Sequence, residues 1–150
     1  MQHLGPRTCR YNLGMSQTPT FSPNDPNGPR DQLVLLLCTF PQGNEWGEIA
    51  QQLVGERLCA CVSQVRELVS VYRWQGEIVT NREVLCLIKT TSQRCASLIE
   101  RLNDLHPYDV PEIVRLAVQS VNKPYLEWVM AECDENAPAS GRTAEDEYDE

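Results

Sequence analysis

Residues 59–90, CACVSQVRELVSVYRWQGEIVTNREVLCLIKT, decide the fold. Both flanks of Gln75 and Gly76 are rich in Val, Ile, Leu and aromatic residues, the composition of strands, and a two-residue link containing glycine is a hairpin signal. A long antiparallel hairpin is therefore expected, with 59–74 pairing against 77–90. Along its first arm the alternation of apolar and polar side chains slips at Arg66 and Glu67, as it would if a β-bulge re-aimed the strand.

Working outward, LVLLLCTF (33–40), closed by Pro41 and Gly43, reads as a short strand buried on both faces. Between it and the hairpin, Trp46, Ile49, Ala50, Leu53 and Val54 recur with helical spacing behind Asn44 as N-cap, and the helix ends near Gly55. Beyond the hairpin, Ser92 is the expected cap of a second helix carrying Cys95, Leu98, Ile99, Leu102 and Leu105 on one stripe. Pro107 stops it by forcing His106 out of helical geometry. EIVRLAV (112–118) supplies a fourth strand. Pro124, at a first helical position, opens a third helix with Leu126, Val129, Met130 and Cys133 on one face. The order is βαββαβ plus a terminal helix, which predicts an α+β, ferredoxin-like sandwich with an antiparallel sheet and helices on one face. The other face then holds more apolar side chains than a one-sided sheet uses, and the hairpin is too long for one small domain to shield. Homo-oligomerisation follows as an expectation.

A length of 150 residues allows one domain with tails and excludes a multidomain enzyme. Thirteen Lys and Arg against 21 Asp and Glu give a net charge of −8, the wrong sign for neutralising phosphates, so no nucleic-acid partner is expected. No apolar run approaches the roughly 18 residues of a bilayer span, so a soluble protein without a membrane partner is expected. The domain is placed at 31–136. Residues 1–30, with five of the ten prolines, and the acidic end 137–150 are read as disordered tails, with Met15 an alternative start. Cysteines at 9, 38, 59, 61, 86, 95 and 133, odd in number and without a CxxC pair, fit reduced thiols in a cytoplasmic protein.

Several residues carry chemistry. His106 is the one histidine of the folded part, in a loop fixed by Pro107 and Pro111 beside Tyr108, Asp109 and Glu112. Imidazole is a common ligand of copper and zinc, and the competing reading is a loop histidine bonded to backbone. Cys38 stands at the C-terminal end of the first strand, where a thiolate suits Cu(I). Cys59 and Cys61 are two apart on a strand, so both side chains point to one face and suit a soft metal or joint oxidation; packing is the stronger reading for them, as it is for Cys86 and Cys95. Tyr72, Trp74, Lys89, Tyr108 and Glu112 suit a cleft for a small anionic or zwitterionic molecule, or alternatively subunit packing. Trp46 and Trp128 are read as filling the core or covering the sheet.

The strings ERLCACV, YRWQGEI, IKT, LHPYDVPEI and YLEWV, in this order, closely resemble the divalent-cation tolerance family CutA over about residues 33–133. The resemblance implies a tight trimer built through extended hairpins, with clefts between protomers similar to those of PII signalling proteins. It implies a role in metal tolerance, regulation or anchoring, and no established reaction. It also implies copper ligands at the positions of Cys38 and His106. Leu105 stands where some members carry a second histidine, so one ligand is missing and two remain, short of the three or four that hold copper or another divalent metal firmly. The functional expectation is a homotrimer that binds a metal or a small molecule between subunits. A tethering scaffold and a Cys38–His106 enzyme are the alternatives, the enzyme disfavoured because no oxyanion hole or orienting residue is visible.

Overall fold

Trp74 pairs with Glu77 across a two-residue turn in which Gln75 and Gly76 take φ of 48° and 86°. Positive φ at both central positions is what matches a turn to the right-handed twist of the strands it joins, and glycine reaches that region without steric penalty. The computed structural model describes residues 32–137, so residues 1–30, the acidic end beyond 137, Met15 and Cys9 lie outside the described residues.

Within these limits the elements are β1 (Leu33–Pro41), α1 (Glu45–Gly55), β2 (Cys61–Trp74), β3 (Glu77–Thr91), α2 (Cys95–Leu105), β4 (Ile113–Ala117) and α3 (Lys123–Glu132). The strands form one sheet in the order β2-β3-β1-β4, and every neighbouring pair is antiparallel. This is the α+β, ferredoxin-like sandwich with a terminal helix that the sequence predicts.

Alternation along the strands divides the side chains between two faces. Val34, Leu36, Cys38 and Phe40 of β1 and Val84, Cys86 and Ile88 of β3 point to the helices, where they bury against Leu53 of α1 and Leu98 and Leu102 of α2. Each of the larger aliphatic side chains buried there contributes about 1.5–3 kcal/mol of transfer free energy. On the opposite face α3 covers one end only, packing Val129 and Cys133 on Leu33 and Ala60. The rest is open: Val65, Val114 and Leu116 are 46%, 40% and 39% exposed. Leu35, Leu37, Leu85 and Leu87 are half-buried beside them.

Several details differ from expectation. β2 begins at Cys61, so Cys59 precedes the strand, buried in the helix-side core, whereas Cys61 is half-buried with its Sγ 3.7 Å from Ser63 Oγ. Ser92 does not cap α2. The helix starts later, at Cys95, and the hydroxyl of Thr91 accepts the Arg94 N–H at 3.3 Å, while the Ser92 N–H is used by the Gln32 carbonyl. Asn44 precedes α1 but makes no side-chain capping bond. Pro124 is the second residue of α3, where its missing N–H again leaves nothing unpaired. Trp128 is 42% exposed on the outer side of α3, with its ring 5.6 Å from that of Tyr125, and so fills no core.

Candidate functional site

The β-bulge decides which way the hairpin's aromatic residues face. Val65 pairs with Leu85, but the next pair is Leu68 with Glu83, leaving Arg66 and Glu67 together opposite Val84. Glu67 takes the strain, at φ 61°. A one-residue register shift turns every later side chain of β2 to the other face. Without it, Tyr72 and Trp74 would point to the helix side; with it, they share the open face with Glu83.

Loop 106–112 closes the other side. Pro107 holds His106 extended (φ −71°, ψ 136°), and the chain turns back across the end of β1. The imidazole stacks on Phe40 with centroids 4.4 Å apart. Its Nε2 lies 2.8 Å from the Thr39 carbonyl, and its Nδ1 lies 3.0 Å from the Tyr108 N–H. A carbonyl only accepts and an N–H only donates, so the ring is the neutral Nε2–H tautomer with both nitrogens engaged. Burial pushes the imidazole below its ordinary value, against smaller opposing pulls from the Thr39 carbonyl and the Glu83 charge.

Tyr108, aimed by that histidine, donates its hydroxyl to Glu83 Oε1 at 3.0 Å. Burial first, and then the bond to Glu83, push its phenol up to about 12, so it remains a donor. Asn81 donates to the Tyr72 hydroxyl at 2.6 Å and fixes that ring. The result is a pocket of about 560 Å³ that runs along the hairpin from Glu83 to Trp74 beside the turn, on the open face of the sheet. Tyr72, Trp74, Tyr108 and Glu112 line it together with Glu83, Asp109, Thr39, Ser70, Pro107 and Val110.

The structure thus brings together four of the five cleft residues named from sequence. Lys89 does not join them: it is not among the residues that line the pocket, lies along β3 on the side of Glu83 away from the hairpin turn, and donates to Ser63 Oγ and the Leu87 carbonyl. Glu83, which the sequence reading passed over, is only 5% exposed and central to the pocket. Its signal is a charge in phase with Leu85 and Leu87 along the strand, where an apolar residue is expected.

Cys38 and His106 stand differently. Cys38 is fully buried on the helix side of β1, and burial raises its thiol to about 12, so it is protonated at neutral pH. Among the described residues no three His, Cys, Asp or Glu side chains converge as a metal cage. A thiol without charge and an imidazole without a free lone pair do not fit a bound metal as they are placed here.

Fold and site together define a ferredoxin-like α+β protein whose extended, bulged hairpin walls an aromatic, carboxylate-bearing pocket. Residues 34–132 match the family described as CutA1 divalent ion tolerance protein, and the chain belongs to that family. It is 48% identical over 95 residues to the divalent-cation tolerance protein CutA of Thermus thermophilus, covering 63% of this chain and 92% of that one. Protein CutA of Homo sapiens is 41% identical over 93 residues, which are 62% of this chain and 52% of the human one. The crystal structure of CutA from Xylella fastidiosa superposes with a TM-score of 0.67 at 41% identity, over 69% of this chain and 99% of that one.

Proposed function

We propose that this CutA-family protein is a non-catalytic, cytoplasmic homotrimer that binds a small molecule in the pocket of Tyr72, Trp74, Tyr108, Glu83 and Glu112, and that it acts in metal response through that ligand, in the manner of PII-like sensors. The observation that carries the reading is the pocket itself. Its volume of about 560 Å³ lies within the range of small-molecule sites, and aromatic walls surround a few convergent polar groups.

Trimerisation is supported by the open face on which Val65, Val114 and Leu116 are exposed beside half-buried Leu35, Leu37, Leu85 and Leu87, apolar side chains that a neighbouring copy would cover. The pocket lies on this same face, so a neighbour covering the sheet would border it and make it an inter-subunit cleft. Six free cysteines among the described residues agree with a reducing compartment. A buried, protonated Cys38 and a fully bonded His106 make neither a nucleophile–base pair nor copper ligands, so the pocket is favoured over them as the working site.

Native mass spectrometry of the full chain tests the proposal. A trimer that retains a small molecule, lost on Trp74→Ala, is the expected result. Stoichiometric copper binding that disappears in Cys38→Ser and His106→Ala, and is untouched by Trp74→Ala, would return the function to the metal.

A further inference from the structure

Glu83 is a buried carboxylate to which no described residue of its own subunit supplies a countercharge. Its Oε1 accepts the Tyr108 hydroxyl, and among the described residues no basic side chain is paired with it. A carboxylate largely withdrawn from water keeps little hydration beyond its one neutral hydrogen bond, and its free lone pairs favour a charged donor. The pocket brings two more carboxylates, Asp109 and Glu112, to the same lining and, among the described residues, no Lys, Arg or His.

We propose, resting on the pocket reading above, that the ligand is a small organic cation: an ammonium group on a short apolar body, with the charge at Glu83 and the body between Tyr72, Trp74 and Tyr108. An anion would meet the buried Glu83 charge, with the exposed carboxylates of Asp109 and Glu112 at the rim adding to it, and the described lining holds no cation to offset them. A bare divalent ion fits poorly too, because no three acidic, His or Cys side chains converge around one point among the described residues. Aromatic rings beside a buried carboxylate suit an ammonium instead. Ring faces attract it through their quadrupoles, its N–H groups fill the carboxylate's free lone pairs, and its carbon body displaces water from the apolar walls.

Isothermal titration calorimetry on the full chain compares three probes of similar shape: phenethylammonium chloride, 2-phenylethanol and sodium 3-phenylpropionate. Saturable binding of the ammonium probe is expected, at least about tenfold tighter than either of the others. Glu83→Gln, which keeps an acceptor for Tyr108 while removing the charge, is expected to abolish that preference and leave the alcohol unchanged. Glu112→Gln, at an exposed position, is expected to weaken the ammonium probe about two- to threefold. Alcohol or propionate binding as tightly as the ammonium, or ammonium binding unaltered by Glu83→Gln, overturns the cation assignment while leaving the pocket as a ligand site. No heat from any probe removes the pocket itself.

Discussion

His106 sits where three structural demands meet: a proline that fixes its backbone, a phenylalanine ring that stacks on it, and two backbone groups that use both of its nitrogens. Because burial lowers its pKa, folding favours the neutral ring. The stabilisation is intact above the unfolded value of about 6.5 and is lost as pH falls from there through the lowered folded value. His106→Gln removes that titration, so the wild type should lose more stability than the variant between pH 7.5 and pH 5.5, measured by urea denaturation. An identical pH dependence in the two would show that folding leaves the ring's affinity for its proton unchanged, and a wild type that gains stability relative to the variant as pH falls would show that the fold holds the ring charged.

The cysteines make a second expectation at this scale. Burial raises the thiols of Cys38 and Cys59 to about 12 and that of Cys86 to about 11. Since alkylation needs thiolate and access, iodoacetamide at pH 8 should leave these three unmodified in the native protein and label them in urea, as read by peptide mapping. Rapid native labelling of Cys38 would place it on an accessible surface and reopen it as a metal ligand.

Among the elements, the hairpin does most to create the site. Its turn was legible because Gln75 and Gly76 separate two β-rich arms, and its bulge because the alternation slips at Arg66 and Glu67. What the sequence did not convey was the consequence of the bulge, that it turns Tyr72 and Trp74 toward Glu83. That depends on the register of β3, which no single strand contains. The helix caps were less legible, since Ser92 and Thr91 are adjacent hydroxyls and the competition between them is settled by where the Ser92 N–H finds its carbonyl, across on Gln32. Lys89 is read from sequence as one of the cleft's convergent charges; in the fold it lies beyond Glu83 from the turn and bonds Ser63 and the Leu87 carbonyl, a placement that only the register of the sheet reveals. The turn itself is testable. Gly76 has φ of 86°, with open space around a would-be Cβ, so Gly76→Ala meets backbone strain and no clash. It should lower stability by about 1–2 kcal/mol, seen as a lower urea midpoint with unchanged slope at matched concentration. No change would mean that the turn relaxes at no cost.

For the molecule as a whole, the sheet has two faces of similar apolar character and helices enough for one. α1 and α2 cover the side of Leu36, Cys86 and Ile88, and α3 reaches only the Leu33 end of the other. The fold order, the burial of β1 on both faces and the surplus of apolar residues are readable from periodicity. The partner that would cover the surplus was not, because periodicity says which face is apolar and nothing about what meets it. If other copies of the chain meet it, a charge placed in the middle of the open face, Leu116→Asp, should dissociate the assembly while the helix-side core holds the subunit folded.

Sedimentation of the unmodified full chain at micromolar concentration tests this account most directly. A single species of three times the 17.0 kDa subunit mass is predicted, and a well-folded species at 17.0 kDa would contradict it.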